Sequence, residues 1–285
     1  MPSNEKDRID TIISQALAED LHTEGDITSQ SIFDKDHQAE AVIKSKEPGI
    51  LSGVYLIEPV YSAIDSTLLI SPLMEDGASL ENGTELCRIQ GSIRSILAGE
   101  RTVLNFLQRL SGIATRTHHL VSLIPDNRVK LLDTRKTTPG LRPLEKRAVL
   151  AGGGCNHRFG LYDMILIKDT HVKAAGSPAA AIRKAREYPN RHPEIKIEVE
   201  VQSLTECADA ITESPDRIML DNMSIEDMTH CVKRIRRSGL PIEIEASGNV
   251  TEENIRPIAE TGVDYISSGS LTHSVKALDI HLILL

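Results

Sequence analysis

The chain has no tryptophan, and only three phenylalanines and five tyrosines among 285 residues. The aromatic platforms on which single-stranded nucleic acids stack are therefore not expected. A broad basic face is missing as well. The 41 acidic residues outnumber 32 lysines and arginines, for a net charge of −9, whereas backbone binding to nucleic acid needs spread positive charge. No apolar run approaches the roughly 20 residues of a membrane span. The polar start MPSNEKDRID lacks the apolar core of a secretory signal. Cys87, Cys155, Cys207 and Cys231 make no CxxC pair and no metal-ligand spacing, which predicts reduced thiols. Together these absences predict a soluble, cytoplasmic protein whose partners are neither nucleic acid nor membrane. With 40% hydrophobic and 26% charged residues, the chain is long enough for two globular domains.

What is present changes character along the chain. Ile9, Ile12, Ile13, Ala16, Leu17 and Leu21 fall at helical spacing and predict an amphipathic opening helix. From Ala39 to about Gln90 the runs AVIKS, ILSGV and ELCRI predict short strands, punctuated by Gly49, Gly53, Gly77 and Gly83. A long helix follows from about Ile93 to His119. After it, short apolar runs recur and each ends in polar chemistry. VKLL leads to Asp133-Thr134-Arg135-Lys136, MILI to Lys168-Asp169, and RIML to Asp221-Asn222. IEIEA leads to Ser247-Gly248-Asn249, and DYI to Ser267-Ser268-Gly269-Ser270. Helical segments lie between them, so the pattern predicts a parallel α/β sheet. In a (β/α) barrel the carboxyl ends of the strands carry the active site, but a full barrel takes about 250 residues. Only about 160 are available here, so an incomplete barrel is expected. The closing ALDIHLILL predicts a strand that returns to the amino-terminal domain.

Charge gathers in one segment. Between Asp133 and Lys173 there are eight lysines and arginines against four acids, in a chain that is otherwise acidic. Arg135, Lys136, Arg158 and Lys168 each follow a strand or a glycine turn, where guanidinium forks and ammonium groups suit carboxylates and phosphates. His157 and His171 flank them. Arg142, Lys146, Arg147 and Lys173 fit an ordinary solvated helix face and are left out of the site. The turns at 247–249 and 267–270 offer backbone N–H groups for a phosphate. Glu200 and Asp221 end neighbouring strands and would suit Mg²⁺ beside phosphates. Glu198 shares a strand face with Glu200 and is expected in a salt bridge inside the barrel. Gly152-Gly153-Gly154 permits either close backbone approach to a ligand or a helix stop.

The ordered segments LAEDLHTEGDITS, GERTVLNFLQRLSGIAT, LLDTRKTTPGLR, KRAVLAGGGCNHRFGL, ILIKDTH, IEVEV, IMLDN, EASGNV and SSGSLTHS resemble the quinolinate phosphoribosyltransferase family, over residues 17–274. The resemblance implies an amino-terminal α/β sandwich domain over 1–111, with 275–285 returning to it, and a catalytic incomplete α/β barrel over 112–274. It implies transfer of phosphoribosyl from phosphoribosyl pyrophosphate to quinolinate, with loss of CO₂ and pyrophosphate, to give nicotinate mononucleotide for NAD synthesis. Arg135, His157, Arg158 and Lys168 would line the quinolinate site, with Thr134 in the same substrate-binding set. Lys136 and His171 would lie near the pyrophosphate. Lys136, Lys168, Glu200 and Asp221 would carry the chemistry, the two acids addressing ribose and Mg²⁺. Ser247, Gly248 and Asn249, with Ser268, Gly269 and Ser270, would take the 5′-phosphate. The residues alone make Arg101 a surface group; the resemblance sends it into a neighbouring subunit's site, so a homodimer, or a hexamer built from dimers, is implied. Cys155 and Thr170 depart from the family's usual Ala and Asn. Alternatives are a same-fold relative associated with molybdenum transport, and a barrel lyase forming a Schiff base on Lys168.

Overall fold

The computed structural model describes residues 3–125, 128–189 and 192–285; Met1 and Pro2 of the polar start lie outside them. The chain forms two compact units. One holds the residues up to His118, Thr137–Gly153 and Leu271–Leu285, and the other His119–Lys136 and Gly154–Ser270.

The first unit is built on an antiparallel sheet. Its strands are β1 (Gln38–Ser45), β3 (Leu69–Pro72) and β5 (Glu85–Ser92), while β2 (Gly49–Ile50) and β4 (Ser79–Leu80) form a separate pair. The carboxyl-terminal strand Ile280–Leu284 lies antiparallel to β1, in register from Ala41↔Leu284 to Ser45↔Ile280. In β5 the buried Leu86, Cys87 and Ile89 are interrupted by exposed Arg88, the half-buried pattern of a sheet with one wet face. ILSGV is not one strand, because the chain turns at Gly53 (φ 103°) into the short helical turn Val54–Leu56. The opening helix Ser3–Leu21 buries Ile9, Ile13 and Leu17 at four-residue spacing. The long helix runs Ile93–Ser122. Gly112 interrupts its propensity at a cost of about 1 kcal/mol relative to alanine. A Cβ there would collide with the Lys276 carbonyl oxygen, so the close approach explains the residue.

A cut at residue 111 by chain order would place Thr137–Gly153 with the second half, yet this segment packs in the first unit. Its anchor is Glu145, which is fully buried. The Glu145 carboxylate accepts from Arg109 Nη2 (2.9 Å), Thr138 N (3.0 Å) and Thr138 Oγ1 (2.8 Å). Of the cations expected on a solvated face of the helix Arg142–Ala151, Lys146 is buried and Arg142 and Arg147 are half-buried. Lys146 is 2% exposed, Arg147 lies 3.9 Å over the Tyr55 ring, and Arg142 donates to Thr137 Oγ1 at 3.0 Å. The helix runs through packed surroundings, where long stems bury their methylenes. Gly152 caps it and Gly153 follows at φ 85°, so of the two roles open to these glycines the helix stop is the one observed.

The second unit is a six-stranded parallel sheet: β6 (Lys130–Leu132), β7 (Ile165–Ile167), β8 (Ile197–Val201), β9 (Arg217–Asp221), β10 (Glu243–Ser247) and β11 (Tyr265–Ser267), in the order β6-β11-β10-β9-β8-β7. All five residues of β8 are buried, as expected when helices cover a parallel sheet. Helices Pro178–Arg186, Leu204–Thr212 and Ile225–Arg237 are each opened by a serine cap, Ser177, Ser203 and Ser224. Cys155 adds an isolated parallel bridge to Leu132 on the outer edge of β6. No ladder joins that edge to β7 among the described residues. The sheet is an open, incomplete barrel, and the Arg158 side chain, donating to the Met164 carbonyl at 3.0 Å, reaches from the Cys155 side toward β7.

Candidate active site

The carboxyl ends of the six strands carry most of the residues singled out from the sequence. Thr134, Arg135 and Lys136 follow β6, and the Lys136 N–H donates to Thr134 Oγ1 at 3.0 Å, fixing the turn. Lys168 follows β7 directly and caps the helix Asp169–Ala175. Its backbone N–H donates to His171 Nδ1 at 2.9 Å, which leaves the proton of the neutral ring on Nε2. The Lys168 ammonium lies 3.4 Å from Glu200 Oε1 while remaining 48% exposed. Burial pushes the Glu200 carboxyl up, the Lys168 charge and the Asp169 N–H draw it down, and the Asp221 charge raises it again. Glu200 and Asp221 therefore share the rim, as their strand-end positions predict. Ser247 ends β10 opposite Asp221. Ser268, after β11, donates its N–H to the Leu132 carbonyl at 3.0 Å and pairs its hydroxyl with Ser270 at 2.8 Å.

Arg135 and Arg158 are half-buried. Burial, and then the neighbouring charge of Arg135, push the Arg158 guanidinium below its ordinary value. Two cations held together against desolvation and mutual repulsion are chemically suited to a dianion.

Below the rim lies a second charged group. His157 Nε2 is 3.1 Å from Glu198 Oε2 and 3.3 Å from Glu245 Oε2, with both carboxylates fully buried. Arg217 Nη1 is 2.9 Å from Glu245 Oε2 and its Nη2 is 3.0 Å from Glu243 Oε2. The Arg217 guanidinium also stacks 4.0 Å over the Tyr265 ring. Glu198 is thus the interior salt-bridge residue that its strand position predicts. Burial works against a charged His157, but hydrogen bonds and charges from Glu198 and Glu245 outweigh it and push the imidazole up to about 9. Nδ1 meanwhile accepts the Arg158 N–H at 2.7 Å, which only the singly protonated ring can do. Gaining the second proton would break that bond and so opposes the rise. Both ring nitrogens have protein partners. Its backbone N–H donates to buried Asp133 at 2.8 Å, tying the loop that bears Arg158 to the end of β6. His157, Glu198 and Glu245 have the spacing of a metal triad, but the Arg217 guanidinium already provides the positive charge there.

Arg217, Glu245, Asp133 and Asn222 were not singled out as site residues from the sequence. A signal existed for some of them. Glu243 and Glu245 alternate in IEIEA with the same period as Glu198 and Glu200, marking a charged interior face.

Arg101 belongs to the first unit. It is exposed and lines a cavity of about 320 Å³ with Gln15, Glu19, Asn105, Phe106 and Pro139.

Six parallel strand ends gather cations, two carboxylates and tight backbone turns, a chemistry suited to anionic ligands in an α/β protein. The quinolinate phosphoribosyl transferase family models match residues 26–111 for the N-terminal domain and 113–283 for the C-terminal domain, so the chain belongs to that family. A probable nicotinate-nucleotide pyrophosphorylase [carboxylating] of Bacillus subtilis is 44% identical, over 95% of this chain and 91% of its own. The structure of NadC from Streptococcus pyogenes superposes with a TM-score of 0.91 at 42% identity, covering 97% of each chain. That of nicotinate-nucleotide pyrophosphorylase from Francisella tularensis gives 0.89 at 40% identity, covering 98% of this chain and 96% of its own.

Proposed function

We infer that this chain transfers the phosphoribosyl group of phosphoribosyl pyrophosphate to quinolinate with decarboxylation, a pentosyl transfer that feeds NAD biosynthesis. The observation that carries this reading is the seat made by Arg135, Arg158 and Lys168 beside Glu200 and Asp221 at one end of a parallel sheet. Quinolinate presents two carboxylates, which the cations neutralise in fixed geometry. The C1′–oxygen bond to pyrophosphate breaks and its electron pair leaves with the pyrophosphate, near Lys136 and His171. The ribose ring becomes positively charged in the manner of glycosyl transfer, and Glu200 and Asp221 stabilise that charge. The pyridine nitrogen lone pair closes on C1′. The adjacent carboxylate then departs as CO₂, its electrons left on carbon beside N⁺ and taken up by a proton. Positioning and electrostatics do the work, with no covalent intermediate on the protein.

Glu200 and Asp221 fit Mg²⁺. They are hard oxygen donors on adjacent strands, and two carboxylates suffice for an ion that keeps waters and substrate oxygens in its shell. Mg²⁺ would supply charge neutralisation for the leaving pyrophosphate. The turns 247–249 and 268–270 would hold the 5′-phosphate. No helix among the described residues is long and apolar enough to cross a membrane; a cytoplasmic location is part of the proposal. We assign Arg101 to a partner subunit's site, with a homodimer as the smallest active form. The molybdenum-associated and Schiff-base alternatives draw no support from the matched relatives.

Incubation with quinolinate, phosphoribosyl pyrophosphate and Mg²⁺ is expected to yield nicotinate mononucleotide, and nicotinate in place of quinolinate is expected to yield none. Equal product from nicotinate would remove the need for the second carboxylate. Mixing inactive Arg101→Ala and Lys168→Ala subunits is expected to restore part of the activity; no rescue after verified exchange would refute the shared site.

A further inference from the structure

β9 and β10 run side by side and end together, with Asp221 opposite Ser247. The next residues leave the strands in an unusual way. Asn222 stands at φ 53°, Gly248 at φ 98° and Asn249 at φ 47°, all in the left-handed region. Asparagine is among the few side-chain-bearing residues that enter this region readily. Such a conformation at two neighbouring strand ends needs something to hold it, and Asn222 does so with its backbone N–H and both ends of its side-chain amide. Its backbone N–H donates to the Ser247 carbonyl at 2.9 Å. Its Nδ2 donates to Asp221 Oδ2 at 3.0 Å. Its Oδ1 accepts from Asn249 Nδ2 at 3.3 Å. The same Oδ1 fills the space where a Cβ on residue 248 would go, so Gly248 and Asn222 fit only as a pair.

The consequence for Asp221 is specific. Asn222 Nδ2 and Gln202 Nε2 (3.2 Å) both donate to Oδ2. Oδ1 has no protein donor among the described residues, so one carboxylate oxygen is fixed by protein donors and the other is left to accept from a ligand. A single side-chain amide therefore ties a carboxylate of the rim to the backbone turn beside it.

We propose that Asn222 is a positioning residue that sets the spacing between Asp221 and the 247–249 turn, so that the two grip the ribose and 5′-phosphate of phosphoribosyl pyrophosphate as one rigid piece. This rests on the reading above that these residues hold that substrate. Asn222 touches neither reacting atom; it acts through Asp221 and Gly248. A rigid pair lowers the ordering cost of binding, and loss of one net hydrogen bond corresponds to about tenfold in affinity. The quinolinate seat at Arg135, Arg158 and Lys168 lies on β6, β7 and the loop after Cys155, so its affinity should not change.

The test is steady-state kinetics on Asn222→Gly, which accepts the left-handed backbone, and on Asn222→Asp, which keeps shape and Oδ1 but puts an acceptor against Asp221. Asn222→Gly is expected to raise the KM for phosphoribosyl pyrophosphate about tenfold, with the quinolinate KM within about twofold and the thermal midpoint near that of the unsubstituted protein. Asn222→Asp is expected to be weaker still in phosphoribosyl pyrophosphate, because it sets a second acceptor against Asp221 Oδ2 in place of the donor. A merely structural residue would move both KM values together or lower the thermal midpoint. Either result, or unchanged KM values in both variants, overturns the proposal. If the unsubstituted protein makes no nicotinate mononucleotide at all, the parent reading fails instead, and that outcome is visible before any variant is assayed.

Discussion

Glu198 and Glu200 lie on the same face of one strand, about 7 Å apart at the usual rise per residue, and have opposite fates. Glu198 is fully buried, with His157 against it and Arg217 Nη1 3.9 Å away. Glu200 sits at the strand end beside a half-exposed lysine. One turn of the pleat separates a charge that is enclosed by the fold from a charge that stands at the rim beside Lys168. The interior group of His157, Glu198, Arg217 and Glu245 is closed on itself, and removing a partner leaves an uncompensated buried ion. The rim group of Arg135, Lys136, Arg158, Lys168, Glu200 and Asp221 is crowded with charge near solvent. Ionisable groups crowded against their own electrostatic preference mark binding sites more often than structural ones.

That contrast can be broken by substitution. Lys168→Ala is expected to lower turnover by at least about 100-fold, the usual scale for losing a group that stabilises developing charge, while leaving the thermal midpoint almost unchanged. A large loss of stability in this variant would make the rim structural. Arg217→Met should do the reverse. It leaves Glu198 and Glu245 without their guanidinium, and about 3 kcal/mol of unfolding free energy should be lost in urea titration. A fully stable, inactive Arg217→Met protein would place the interior group in the chemistry.

A smaller effect sharpens the comparison through pH. The folded-state value of His157 is raised from 6.5 to about 9 by Glu198 and Glu245, against the opposing pull of burial and of the Arg158 N–H held at Nδ1. Its contribution is therefore fully present below about pH 6.5 and is lost as pH rises through about 9. Unfolding free energy should fall across that window, with a limiting slope of about 1.4 kcal/mol per pH unit. His157→Gln should flatten the slope and Lys168→Ala should not. An unchanged slope in His157→Gln would show that the interior group does not titrate there.

Much of the rim was legible in the sequence, because each of its residues follows a strand and strand ends are marked locally. Lys168 after MILI, Asp221 after RIML and Ser247-Gly248-Asn249 after IEIEA all stand where the sheet ends. The open barrel was legible from chain length. What stayed hidden depends on register between distant segments. Nothing near Arg217 announces Glu245, since their contact is made by the pairing of β9 with β10. Lys146 looks like a solvated cation in EKRAV and becomes buried only because Glu145 anchors its helix through Arg109. The three glycines at 152–154 carry the same letters for a helix stop as for a ligand turn, and only backbone geometry separates them. Asn222 left a faint signal, an asparagine directly after a strand-ending aspartate.

The rim's chemistry is tested most directly with quinolinate labelled in the carboxylate next to nitrogen. If transfer to nitrogen precedes loss of CO₂, labelled CO₂ should appear only when phosphoribosyl pyrophosphate is present, in step with nicotinate mononucleotide. Release of label without phosphoribosyl pyrophosphate, or product that still holds the label, would contradict the assignment.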